Sequence, residues 1–190
     1  VKKLLLIIIT LVYVTSAPAD INKCLSKIRG YKVVKSTVYS FTVDKEKACF
    51  FAFYITNPAP GTDVHGDGNT GDSLWYGYYK MNNPDKIYEF PKPKNNLWSS
   101  ICTIHAVSFY PMHGGKKRDV TIIGACDKQN AVNYTFPLVF IWQGDKYVLD
   151  DDVYKALYGA IALTVADVRE YIKFPMTQYK VLRDRYEVKR

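Results

Sequence analysis

Histidine is scarce in this 190-residue chain, with only His65, His105 and His113, and the four cysteines include no C-x-x-C pair. Zinc sites recur at short, fixed cysteine and histidine spacings, so these shortages leave no recognisable ligand set, and neither a metal nor a cofactor is assigned. Long apolar runs are also missing. The run at the start, Leu4 to Val14, falls well short of the ~20 residues that span a bilayer, so no stable membrane anchor is expected. Acids are few: 18 Asp and Glu stand against 26 Lys and Arg, a formal charge of +8. That balance favours anionic partners, namely an acidic protein, a lipid headgroup layer or a cell-wall polymer, with ordinary solubility charge as the alternative. The bases are scattered rather than gathered into one helix or stripe, so nucleic acid is not an expected partner.

What is present at the start is a secretory signal. Lys2-Lys3, the apolar run and the small residues of Thr15-Ser16-Ala17-Pro18-Ala19 follow its order, which makes residues 1–19 a signal peptide cut before Asp20. Cys24 follows Ile21-Asn22-Lys23, not a lipobox, so no lipoprotein is expected. A valine at position 1 fits an alternative start codon and hence a bacterial source. Removing Lys2 and Lys3 with the first 19 residues leaves 171 residues at +6, enough for one periplasmic or secreted domain over residues 20–190. An even count of cysteines in an exported chain suits two disulfides.

The stretch Ser100 to Cys126, SICTIHAVSFYPMHGGKKRDVTIIGAC, reads as a hairpin. Runs rich in β-branched and aromatic residues, Ile101 to Phe109 and Asp119 to Ala125, flank Gly114-Gly115. With its midpoint at Gly114, Cys102 faces Cys126, Ile104 faces Gly124, His105 faces Ile123 and Ala106 faces Ile122. Facing Cα atoms lie ~4.5 to 5.5 Å apart, within disulfide reach. Four cysteines permit three pairings; if Cys102 joins Cys126, Cys24 joins Cys49 by elimination.

Along the chain, Asp20 to Arg29 is expected as a helix stopped by Gly30, and Val33 to Val43 as one long or broken strand. Asp44 to Lys47 then makes a polar turn. The nearly continuous apolar run Ala48 to Thr56 predicts a central strand covered on both faces. Leu74 to Met81 and Ile87 to Phe90 form a second hairpin about Asn82-Asn83-Pro84-Asp85, and Phe136 to Gln143 and Lys146 to Leu149 follow the Ser100–Cys126 hairpin. Helices are expected from Asp150 to Tyr158 and, behind a capping box of Thr164 and Asp167, from Val165 to Lys173. The basic segment Tyr179 to Arg190 fits either a last strand or a disordered tail. The fold class is therefore mainly β (α+β), an antiparallel meander of about eight strands with short N-terminal and C-terminal helices and two disulfides.

Several stretches bear on chemistry. Pro58 to Asp72 is rich in glycine and acid, but read as an EF-hand from Asp63 it places Leu74 where a bidentate Glu is needed. Gly71-Asp72-Ser73-Leu74 resembles the string of the GDSL serine esterases, which implies Ser73 as nucleophile. That family also needs a following helix and a late Asp-x-x-His, whereas a strand follows here and the last histidine is His113. His105, mid-strand, reads as a half-buried core histidine. No catalytic residue is assigned. The hairpin tip His113, Lys116, Lys117, Arg118 is a compact cationic cluster on a protruding, solvated loop, and with Trp98 it forms the candidate partner-binding set. Trp75, Tyr76, Tyr78, Tyr79, Trp98 and Trp142 offer either a stacking surface or core.

Phe109 to Gly124, FYPMHGGKKRDVTIIG, resembles a degenerate FG-GAP unit, in which a calcium loop leads into a strand of the form D-[VI]-x-[VI]-[VI]-G. Gly114, Asp119 and the strand match, while Pro111, His113 and Gly115 stand where the loop would carry calcium ligands. The resemblance implies a propeller-blade-like antiparallel sheet that binds partners rather than catalyses. The functional expectation is an exported, non-enzymatic binding protein: an inhibitor or immunity-type protein against an acidic toxin or cell-envelope hydrolase. A cell-wall or glycan-binding module and a secreted hydrolase are the alternatives.

Overall fold

A computed structural model describes residues 18–55, 73–93, 102–114, 118–126, 135–160, 162–175 and 182. The strands are β1 (Lys32–Val43), β2 (Glu46–Ile55), β3 (Ser73–Lys80), β4 (Asn83–Glu89), β5 (Cys102–Tyr110), β6 (Asp119–Cys126), β7 (Thr135–Trp142) and β8 (Tyr147–Leu149). Helix α1 (Pro18–Leu25) precedes them, and α2 (Asp151–Leu157) and α3 (Val165–Lys173) follow. The eight strands do not form one meander. They divide into two four-stranded antiparallel sheets in chain order, β1-β2-β3-β4 and β5-β6-β7-β8. The break falls after β4, where Pro91 and Pro93 carry no N–H to continue a ladder.

The sheets pack face to face. Phe41, Phe50, Tyr76, Tyr78 and Phe90 from the first meet Val120, Ile122, Leu138, Phe140 and Tyr147 from the second in one core. Phe90 lies 4.7 Å from Phe140 and 4.9 Å from Tyr147 by ring centroid, and Phe109 stacks on Phe41 at 4.5 Å across the opposite edge. β2 shows why its sequence is apolar throughout. Ala48, Phe50 and Ala52 face the inter-sheet core, while Cys49, Phe51 and Phe53 face outward under α1, together with Cys24. The second sheet is covered likewise: Ile123 and Val139 pack against Val153, Leu157 and Val168 of α2 and α3. The layers thus run helix, sheet, sheet, helices.

Register shifts interrupt three ladders, at β1–β2, at β3–β4 between Tyr79 and Lys80, and at β5–β6. In β1 the ladder shifts between Val34 and Tyr39, where the Thr37 hydroxyl donates to the Val34 carbonyl (2.7 Å) and accepts from the Ala52 N–H (2.8 Å) in place of a backbone acceptor. In β5 the ladder shifts between Ile104 and Ala106. Cys102–Cys126 and Ile104–Gly124 pair as expected, but beyond the shift Ala106 meets Ile123 and Val107 meets Ile122, so the expected His105–Ile123 and Ala106–Ile122 pairs are corrected. His105 is the extra residue of a bulge. This keeps Ile104, Val107 and Phe109 all against the inter-sheet core, which strict alternation forbids.

Other boundaries move slightly. Asp44 and Lys45 alone make the β1–β2 turn, both at positive φ (49° and 66°), the signature of a two-residue type I′ hairpin. The β3–β4 turn is Met81-Asn82, and Pro84 sits inside β4, tolerated because β4 is an edge strand. Pro137 lies in interior β7. Thr135 N–H donates to Ala160 and Val139 carbonyl accepts from Asp150, so this side of β7 faces away from β6, and β8 pairs only with residues from Phe140 on. A missing N–H at Pro137 therefore removes no ladder bond. α1 opens at Pro18, two residues before the expected cleavage point, and ends at Leu25 rather than Arg29. α3 carries the expected capping box of Thr164 and Asp167.

Cys24 and Cys49 are joined, tying α1 to β2. Cys102 is also disulfide-bonded and stands opposite Cys126 in the ladder, and among the described residues no cysteine is free. No helix among the described residues is long and apolar enough to cross a membrane.

Candidate functional site

The tip of the β5–β6 hairpin is built from Pro111, Met112, His113 and Gly114. The Gly114 N–H donates to the Pro111 carbonyl (3.3 Å), and Gly114 adopts φ +76°, a left-handed conformation that a side chain would strain. His113 is exposed at the turn, as the sequence implied, and it is also held in place there. Its side chain is 33% exposed and lies between two carboxylates. Asp119 Oδ2, on the first residue of β6, accepts the His113 backbone N–H (3.2 Å) and lies 3.3 Å from Nδ1. Asp150 Oδ2 lies 3.0 Å from Nε2, while Asp150 Oδ1 caps α2 by accepting the Val153 N–H (3.1 Å). Both ring nitrogens donate together only in the imidazolium form. The arrangement is a clamp joining the tip to β6 and to the helix behind it. The three side chains do not converge on a point, and among the described residues no metal-ligating group of three or more is found.

Arg118, at the other side of the tip, is exposed, and its carbonyl accepts the Tyr147 hydroxyl (3.2 Å). Burial pushes the Tyr147 phenol well above its ordinary range, so it remains the donor in this bond. Lys116, Lys117 and Trp98 lie outside the described residues. Between the tip and α3 runs a groove of about 490 Å³, lined by Tyr110, Pro111, Met112, His113, Arg169 and Lys173 among others. The Arg169 guanidinium sits over the Tyr110 ring at 3.9 Å, with Tyr110 itself 42% exposed. Lys173 meets Glu170 at 3.5 Å, both half exposed. No family model, curated protein or solved structure gives a significant match to this chain.

The remaining sequence candidates are dispersed. His105 is exposed rather than half-buried, bonded to Thr103 Oγ1 at 3.0 Å on the outer side of β5. Ser73 opens strand β3, not the helix that the esterase string requires. The 58–72 loop lies outside the described residues. Tyr76, Tyr78, Tyr79 and Trp142 are buried in core, and Trp75 is half-buried beneath the Lys92 amine, 2.7 Å above its ring. Sequence reasoning missed Asp119, Asp150, Tyr110, Arg169 and Lys173 as site residues. One signal was available. With Val165, Val168 and Ile172 as the inward face of α3, Arg169 and Lys173 each follow a core residue and fall together on its margin.

Proposed function

We propose that this chain is an exported, non-enzymatic binding protein, stapled by Cys24–Cys49 and Cys102–Cys126, that caps an acidic protein partner of the toxin or cell-envelope hydrolase type with its β5–β6 hairpin tip. The observation that carries the reading is the clamp on His113. A cationic turn that served only solubility would need no buried carboxylate, whereas Asp119, 4% exposed, and Asp150 hold the tip in one position against the body. A fixed tip loses little conformational freedom when a partner arrives, which favours tight association. Its exposed Arg118 and the neighbouring bases of α3 supply charge of the sign that recognises acid.

The test is capture from an envelope extract of its host by the mature, oxidised protein, at low and moderate salt. The reading expects one stoichiometric, salt-sensitive protein that is lost when Lys116, Lys117 and Arg118 are replaced by Glu. Recovery of glycan alone, or capture indifferent to the three replacements, would refute it.

A further inference from the structure

We propose that Arg169, seated on Tyr110 and flanked by Lys173, is a carboxylate receptor, and that the groove between the hairpin tip and α3 takes an extended acidic segment of the partner protein. This rests on the reading of the chain as a binder of acidic protein and locates where the acid docks. The guanidinium carbon lies over the Tyr110 ring, 3.9 Å from its centroid, close enough for the planar group to rest on the ring by its face, an arrangement that leaves its in-plane N–H fork available for a bidentate carboxylate. Stacking also fixes that fork before any ligand arrives.

The described acids of α3, of the hairpin and of the α2 cap are otherwise engaged, and Asp151 and Asp152 on α2 are exposed. Asp167 accepts from the Thr164 hydroxyl and N–H in the cap of α3, and Glu170 is paired with Lys173. Asp119 and Asp150 are both bonded to His113. Among the described residues no carboxylate lies within ion-pair distance of Arg169. The groove therefore presents an unneutralised cation, and its complement is an acid. The Glu170–Lys173 pair, long and half exposed, is of the kind that contributes little, so an incoming carboxylate can displace Glu170 from Lys173. Met112, buried, with Pro111 and Ile172, gives the groove an apolar floor for the side chain next to that acid. Its volume of about 490 Å³ suits a few side chains rather than a whole domain surface.

The experiment is fluorescence anisotropy with a labelled oligoglutamate peptide and an oligoglutamine control, at low salt, on the mature oxidised protein. The wild type should bind the glutamate peptide and not the glutamine one. Arg169→Lys, which keeps the charge but loses the fork, should weaken binding by about tenfold, and Arg169→Ala by at least as much. Lys35→Glu, on the exposed part of β1 far from the groove in sequence, should change it less than twofold. Melting curves of each variant confirm that the fold is kept, and Arg169→Lys retains the positive charge. Should Arg169→Lys bind like wild type while Arg118→Glu loses binding, the Arg169 receptor is wrong and the acidic-partner reading stands. Failure of the wild type to prefer glutamate over glutamine would overturn both.

Discussion

Deleting His105 should leave the protein folded and close to its full stability. Cys102 and Ile104 face the inter-sheet core, and so do Val107 and Phe109, which a regular strand cannot arrange without one extra residue between them. His105 is that residue. Its removal makes Ile104, Ala106 and Val107 consecutive, giving an inward, outward, inward alternation in which Ile104–Gly124, Ala106–Ile123 and Val107–Ile122 all persist. The loss is one exposed bond, Thr103 Oγ1 to His105 Nε2, worth about 0.5–1 kcal/mol, and some local twist, so the change should stay within about 1 kcal/mol. An ordinary ladder residue would respond in the opposite way, because its deletion turns everything on one side of it to the other face. Phe109, which stacks on Phe41 and lies 5.9 Å from Phe50, would leave the core with Val107, at a cost of roughly 4–8 kcal/mol for the two. Guanidinium denaturation followed by tryptophan fluorescence decides between them, with His105→Ala as the side-chain control. A deletion that loses more than about 3 kcal/mol beside a near-neutral His105→Ala would refute the bulge assignment.

Replacing Cys24 and Cys49 together by Ser opens a closure of 25 residues and should cost ~3.5 kcal/mol by the chain-entropy estimate, read from denaturation under non-reducing conditions. Gly77→Ala should destabilise by about 1–3 kcal/mol, since a Cβ there would sit 2.9 Å from the Tyr88 carbonyl oxygen and push β4 off β3; an unchanged melting temperature would contradict the close approach. Burial against Trp75 lowers the Lys92 amine from 10.5 to about 8, with Glu89 opposing. Competitive acetylation read by mass spectrometry should therefore show Lys92 half-reactive near pH 8, below the surface lysines. Because the folded state binds fewer protons than the unfolded one between about pH 8 and 10.5, stability should rise with pH across that window, and Lys92→Met should flatten the rise.

Much of the scaffold was legible because short-range chemistry decides it. β2 announced burial on both faces by its unbroken apolar run, the α3 start was written in Thr164 and Asp167, and the facing of Cys102 and Cys126 followed from hairpin symmetry. The break into two sheets was not legible. Pro91 and Pro93 show that a ladder ends, but not that the next strand joins a different sheet, which depends on whether eight strands bury more apolar surface flat or folded over. The β5 bulge was hidden for a related reason: His105 fits an alternating pattern locally, and only Val107 and Phe109 seeking the same core as Ile104 expose the misfit. The site was least legible. His113 stood out as a charge at a turn, yet its partner Asp150 lies 37 residues away and looked like a helix starter, a role it also fills. Arg169 meets Tyr110 only because α3 folds back over the β5–β6 hairpin.

The tip is joined to more of the molecule than a turn requires. Met112 is buried in the same cluster as Leu157 and Val168, so the apolar contacts that seat α2 and α3 also seat the tip. Arg118 receives the hydroxyl of Tyr147, whose ring belongs to the inter-sheet core, and His113 reaches both β6 and the cap of α2. Burying Asp119 beside a turn has a desolvation cost that a merely soluble loop would avoid. Its return is that the hairpin end and Arg169, two charged features on separate elements, keep a fixed spacing. A partner meeting both gains from their separation being set during folding instead of at the encounter, and this is the physical ground for reading the tip and the groove as one surface.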